Sequence, residues 1–281
     1  VRFEQKFDFK IGKHTEYLMK GAIKRGYLRQ AQGPRVLNEL LVILRGDNPI
    51  RAFDRMEELG ILASVHPGLA FTGKIRNIFL QVVRINSWFQ LLFLDEEPDV
   101  GQIYLNALMM MKNIDEREQI LELFHINAQQ KKNYRARWEK TSSTMKALAR
   151  TEEKSPSWIA RLLSEIEVED LLTIMSLTKR EDTVKAISVY LSRLRFIQRE
   201  LGGRDLKKMG YTSGPMFREI LLAVQDARVD GEVHDLADEI VHRARSARAG
   251  GDRQARQAGG HCFGEGFDIR CALAGNHVEH L

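Results

Sequence analysis

The sequence predicts an all-α protein with a short extended segment at its N-terminus, on three observations. Apolar residues recur at helical spacing through most of the chain, to about residue 248. Several of these stretches start with a proline directly after Gly, Asn or Ser, where a missing N–H does no harm in a first turn. Period-2 alternation is confined to the opening VRFEQKFDFKI, in which Phe7, Phe9 and Ile11 alternate with Asp8 and Lys10 as in a half-buried extended segment.

Taken in order, the opening segment needs a surface to pack against and reads as a piece of something longer. Thr15 is placed to cap a helix running through Leu18, Ala22 and Ile23 and breaking near Gly26. GPRVLNELLVIL sets Leu37, Leu40, Leu41 and Leu44 on one face. Asp47 or Asn48 caps the next helix, NPIRAFDRMEELGIL, which Gly60 closes. A long apolar helix from about Lys74 to Phe93 follows, then a shorter one, VGQIYLNALMMMK. A strongly charged helix spans about Asn127 to Arg150. SPSWIARLLSEI, EDTVKAISVYLSRLRFIQREL, GPMFREILLAVQDAR and the stretch from Val233 to about Arg248 complete the set. Beyond that the chain loses apolar periodicity and fills with Gly, Ala and Arg, the composition of a disordered or non-native tail. His261, Cys262, Cys271, His277 and His280 lie there with no compact metal-ligand spacing.

The chain has 281 residues, 43% of them hydrophobic, enough for a sizeable core. Its net charge of +5 is compatible with a polyanionic partner and does not by itself show one. No basic stretch followed by an apolar one marks a secretory leader, and VVRINSWFQLLFLDEEP is too short and too polar to span a bilayer. With both cysteines in the last segment, no disulfide framework is expected in the body. These features point to a cytoplasmic protein with no membrane contact.

VRFEQKFDFKIGKHTEYLMKGAIKRGYL, followed by GPRVLNELLVIL and NPIRAFDRMEELGIL, resembles the class II tRNA nucleotidyltransferases and bacterial poly(A) polymerases. INSWFQLLFLDEE, VKAISVYLSRLR and LKKMGYTSGPMFREILLAVQDARVDGEV resemble the body and tail of the longer bacterial members, so the likeness covers roughly residues 1–240. The resemblance implies a neck over residues 1–65, a helical body over 66–200 and a helical tail over 201–248, with 249–281 outside it. It also implies a catalytic head upstream of Val1, which would hold Mg²⁺ and ATP or CTP; no cofactor is expected in this chain. Two-metal phosphoryl transfer needs clustered carboxylates. Asp226, Asp230 and Asp235 are spread along one helix and its following turn, and Asp95, Glu96 and Glu97 read as a solvated corner. His14, His66 and His125 stand alone. No catalytic residue is assigned, and the chain alone is expected to be inactive.

The implied partners are the tRNA acceptor stem and elbow, and the chain's own catalytic head. A-form RNA is gripped chiefly through phosphates and 2′-hydroxyls, so outward Lys and Arg are the candidates. Lys13, Lys20, Lys24, Arg25 and Arg29 form the first cluster; a merely solvated face is its alternative. Lys131, Lys132 and Arg135 form the second, beside Tyr134 and Trp138, which read either as core anchors or as an aromatic surface. Lys207, Lys208 and Arg218 form the third, around a helix start at Gly214-Pro215 that is either a phosphate site or a plain helix start. Arg35 and Glu39, four apart on one helix, are expected to pair with each other, and with Arg2 to serve as structural support. The competing readings are part of a poly(A) polymerase of the same family and a helical scaffold that binds proteins.

Overall fold

A computed structural model of the chain describes residues 1–30, 33–150, 154–209, 211, 213–235 and 238–240; the side chains of residues 29 and 30 are outside the description. The described residues are helical, with no strand among them. The helices are α1 (Arg2–Lys6), α2 (Lys13–Lys24), α3 (Pro34–Leu44), α4 (Pro49–Glu58), α5 (Ile61–Val65), α6 (Gly73–Gln90) and α7 (Val100–Met110). They continue with α8 (Ile114–Leu123), α9 (Ala128–Arg150), α10 (Pro156–Leu163), α11 (Val168–Leu177), α12 (Glu181–Ser192), α13 (Gly203–Lys208) and α14 (Pro215–Asp230).

The N-terminal expectation needs correction. Arg2–Lys6 is a short helix, Phe7 and Asp8 form a turn, and Phe9–Gly12 has no regular structure. Two i→i+4 backbone bonds, from Gln5 N–H to the Val1 carbonyl and from Phe7 N–H to the Phe3 carbonyl, close that turn. Helical spacing therefore governs Phe3 and Phe7, although Phe7, Phe9 and Ile11 alternate. The cap of α2 is Gly12, and Thr15 lies inside the helix.

The proline-led starts behave as the sequence predicts. Gly33 precedes Pro34 with φ +110°, a backbone value that favours glycine, and α3 buries Leu37, Leu40, Leu41 and Leu44. The Asn48 side chain accepts from Arg51 N–H at the start of α4, and Ser155 accepts from Trp158 N–H at the start of α10. Helices α5, α8, α11 and α13 are additional to those expected from the sequence. The signal for α8 was legible as a capping box: Asn113 accepts from Glu116 N–H while the Glu116 carboxylate accepts from Asn113 N–H. The helix expected from Val233 to about Arg248 falls largely outside the described residues, as do residues 249–281.

The chain divides into two compact units: Val1–Glu152 with Glu165–Ile187, and Glu153–Ser164 with Ser188–Leu281. In the first, α7 packs against α3, α6 and α11, which explains why eight of its residues are buried. Phe53, Phe71, Phe79 and Tyr104 form an aromatic centre with ring centroids 4.6–5.3 Å apart along the contacts. In the second, α14 packs against α10 and α13 over Leu201, Leu206, Tyr211, Ile220 and Val224. Glu239, fully buried, accepts from the backbone N–H groups of Glu200 and Leu201 and from Arg228. No helix among the described residues is long and apolar enough to cross a membrane.

Candidate nucleic-acid interface

The first basic cluster lies on α2, a helix with no buried residue. Lys13, Lys24 and Arg25 are exposed and form no ion pair among the described residues. Lys20 is turned aside: its ammonium lies 2.7 Å from Glu16. Arg55 of α4 also donates to Glu16 (2.8 Å), and to Glu4 and Glu58, so one guanidinium ties α1, α2 and α4 together. The hydrogen bonds from Lys20 and Arg55 hold the Glu16 carboxyl at about 2, well below its usual value. The Arg29 side chain is outside the described residues.

The second cluster rides on α9, and the structure sorts its members. Lys131 is mostly covered and sits 2.5 Å from Glu122 of α8. Arg135 makes a two-pronged bond to Glu118, at 2.7 and 2.5 Å, which lowers the affinity of that carboxyl for protons. A carboxylate partner on the neighbouring helix neutralises each of them, so only Lys132 is exposed and without an ion pair among the described residues. Trp138 resolves to the core reading: it is buried, and its indole N–H donates to the Asn106 side chain at 3.3 Å. Tyr134 packs half-buried beside it, ring centroids 5.3 Å apart, and burial pushes its hydroxyl upward.

What orients α9 was not foreseen. Asp170 of α11, buried, accepts from Asn106 Nδ2 (2.9 Å) and from Arg137 Nε (2.8 and 2.7 Å). Gln102 Nε2 donates to Asn106 Oδ1 at 2.9 Å. Burial raises the Asp170 carboxyl, against the opposing pull of Arg137. The partners come from α7, α9 and α11, and no local sequence pattern links them.

The third cluster belongs to the second unit. Lys207 and Arg218 are exposed and free of ion pairs among the described residues, while Lys208 approaches Asp205 at 4.0 Å. Two carboxylates of α14 are engaged in other contacts. Asp226 is ion-paired with Arg161, and Asp230 accepts from Ser157 N–H at 2.8 Å. Among the described residues no three His, Cys, Asp or Glu side chains converge as metal ligands would.

The support residues also differ from expectation. Glu39 pairs with Arg2, 3.5 Å away on α1, and not with Arg35. The reach across from α1 brings a guanidinium to the carboxylate, while Arg35 stays exposed on α3. All three edge a cavity of about 530 Å³ whose floor is apolar, including Leu40, Met56 and Leu62.

The fold and these side chains together define a class: an all-helical scaffold that carries outward cations not held by neighbouring carboxylates, on α2 and α9 in the first unit and on α13 and α14 in the second. Comparison with known proteins carries the assignment further. A family model described as "Probable RNA and SrmB- binding site of polymerase A" matches residues 8–72. An A-adding tRNA nucleotidyltransferase of Geobacter sulfurreducens is 34% identical over 255 residues, covering 85% of this chain and 28% of that protein. One from Aquifex aeolicus is 25% identical over 211 residues, 75% of this chain and 25% of that protein. The fold is also that of a Thermotoga maritima CCA-adding enzyme solved in complex with tRNA, with a TM-score of 0.70 at 22% identity over 87% of this chain and 59% of that one. The chain belongs to the family of tRNA nucleotidyltransferases and bacterial poly(A) polymerases, and spans only about a quarter of the length of the first two relatives.

Proposed function

We propose that this chain is the RNA-binding C-terminal region of a template-independent tRNA nucleotidyltransferase, gripping the acceptor stem and elbow of tRNA. The observation that carries the reading is the 34% identity, over 85% of this chain, to an A-adding enzyme. The names of the relatives favour addition of A to tRNA 3′ ends over CCA or poly(A) addition. The catalytic carboxylates, with Mg²⁺ and the incoming nucleotide, belong to a head outside this chain, which docks on the neck. The described residues do not fit a two-metal site, and no step of transfer is assigned to them.

The chain's own contribution is positional. Lys13, Lys24, Arg25, Lys132, Lys207 and Arg218 are exposed and without ion pairs among the described residues, so each meets a phosphate without first leaving a carboxylate. The Arg137–Asp170 bond fixes the rotation of α9 and with it the direction of Lys132. The test is a tRNA titration at several salt concentrations. The expected result is an affinity whose logarithm falls linearly with the logarithm of salt. An affinity indifferent to salt would instead favour a protein-docking scaffold.

A further inference from the structure

We propose that the segment from Arg193 to Arg199, together with Arg204, Lys207 and Arg218, forms a surface on the second unit that grips the phosphate backbone of RNA. This rests on the RNA-binding reading above and assigns contacts which that reading lacks. The starting observation is where α12 stops. Apolar spacing predicts one helix through RLRFIQREL, yet α12 ends at Ser192. A single 3-10 turn, Leu194–Phe196, follows, and residues 197–202 are non-helical.

The segment is held from behind. Gln225 of α14 donates from Nε2 to the Ile197 carbonyl at 2.7 Å and accepts from Arg199 N–H at 3.1 Å. Leu194 and Leu201 are buried at either end. Arg193 and Arg199 are left exposed and form no ion pair among the described residues. Between them the Arg195 guanidinium lies 4.9 Å from the centre of the Phe196 ring, which is 53% exposed.

Helix α14 joins this segment to the third basic cluster. Arg218 stands about two turns from Gln225 on one face of α14. A Cβ on Gly203 would lie 3.7 Å from the Phe217 ring, so Arg204 and Arg218 each adjoin that contact. Arg204 and Lys207 are one turn apart on α13, both exposed and without ion pairs among the described residues. Nearby carboxylates are occupied: Glu200 accepts from Arg228 at 2.7 Å, and Asp205 accepts from Gly202 N–H at 3.0 Å. Glu219, exposed beside Arg218, tempers the surface without balancing it.

Charge and composition select the occupant. Phe196 and Leu222 are the large apolar side chains exposed among the described residues of this unit, too little for the apolar centre of a protein interface. A nucleic-acid interface needs no such centre and is far more cationic. Phosphates supply partners for all five cations.

The experiment titrates tRNA against the chain and against Arg193→Gln, Arg199→Gln and Arg161→Gln at several salt concentrations. Arg193→Gln and Arg199→Gln should each lower tRNA affinity about fivefold at about 0.1 M salt and make the salt slope shallower by about 1. Arg161, equally outward but paired with Asp226, should change the slope much less when replaced. Poly-glutamate, a polyanion without phosphate, should bind weakly and alike to every variant. The replaced side chains are exposed, so folding is retained, which far-UV dichroism checks. A wild type that binds tRNA with a steep salt slope, while Arg193→Gln and Arg199→Gln keep that slope, refutes this surface and leaves the RNA reading to other cations. Poly-glutamate binding that is tight and lost in these two variants, with tRNA binding unchanged, overturns it in favour of an acidic protein. A wild-type affinity for tRNA indifferent to salt overturns the RNA reading itself, and this surface with it.

Discussion

Truncating Asp170 to alanine tests the account of how α9 is held. The change removes the acceptor for Arg137 Nε and for Asn106 Nδ2 at once. Losing one partner of a buried ion pair costs about 3–5 kcal/mol, because the other charge stays behind without compensation. Here the lower end applies. The Arg137 side chain is 26% exposed and regains some water, and Glu169 remains 3.6 Å from its Nη2. A loss of about 3 kcal/mol corresponds to a melting temperature lower by roughly 6–12 °C for a unit of this size. Urea unfolding followed by far-UV dichroism reads it directly, with the midpoint falling and the slope unchanged. The double variant Arg137→Met with Asp170→Leu should recover about half the loss, since only Asn106 Nδ2 is then orphaned, at about 1–2 kcal/mol. A single-variant loss under about 1 kcal/mol, or a double variant worse than Asp170→Ala, would refute the reasoning.

Gly101→Ala places a Cβ 2.7 Å from Arg45 Cγ and 3.1 Å from the Leu41 carbonyl, where α7 meets α3; despite alanine's better helix propensity, stability should fall by about 1–3 kcal/mol in denaturant titrations. Glu16 carries a pH signature. Its folded value of about 2 lies below the ordinary 4.5, so its contribution is complete above 4.5 and disappears as pH falls toward 2. The gap in urea midpoint between wild type and Glu16→Gln should therefore be constant at neutral pH and close near pH 2, and a gap that persists there would contradict the Arg55–Glu16–Lys20 network. Lys132→Ala should reduce the salt slope of tRNA binding by about 1, whereas Lys131→Ala, already paired with Glu122, should change it much less.

Much of the fold was legible because helices announce themselves locally. Leu37, Leu40, Leu41 and Leu44 are buried on one face of α3 as their spacing implies, and Asn48 and Ser155 cap where a proline-led start places them. Where the reading failed, two local signals competed. At residues 3–11 the period-2 alternation of three apolar residues coexists with an i→i+4 pair, Phe3 and Phe7, and the helical hydrogen bonds prevailed in the first turn. Helix α11 passed unseen because nearly all of it is buried, which erases the polar face that gives a helix its period.

By itself the sequence determined the all-α class, the proline-led helix starts and the family, since each depends on residues within a few positions of one another or on blocks matched in order. Only the tertiary structure decided which charges are available. Lys131 and Arg135 look like Lys132 along the chain, yet Glu122 and Glu118 of α8 neutralise the first two. Glu39 found Arg2 and not its helical neighbour, and Asp170 found Asn106, 64 residues away. Ion pairs form between groups that meet in space, and a carboxylate 3 Å away on another helix can cancel a cation whose sequence neighbourhood is wholly basic.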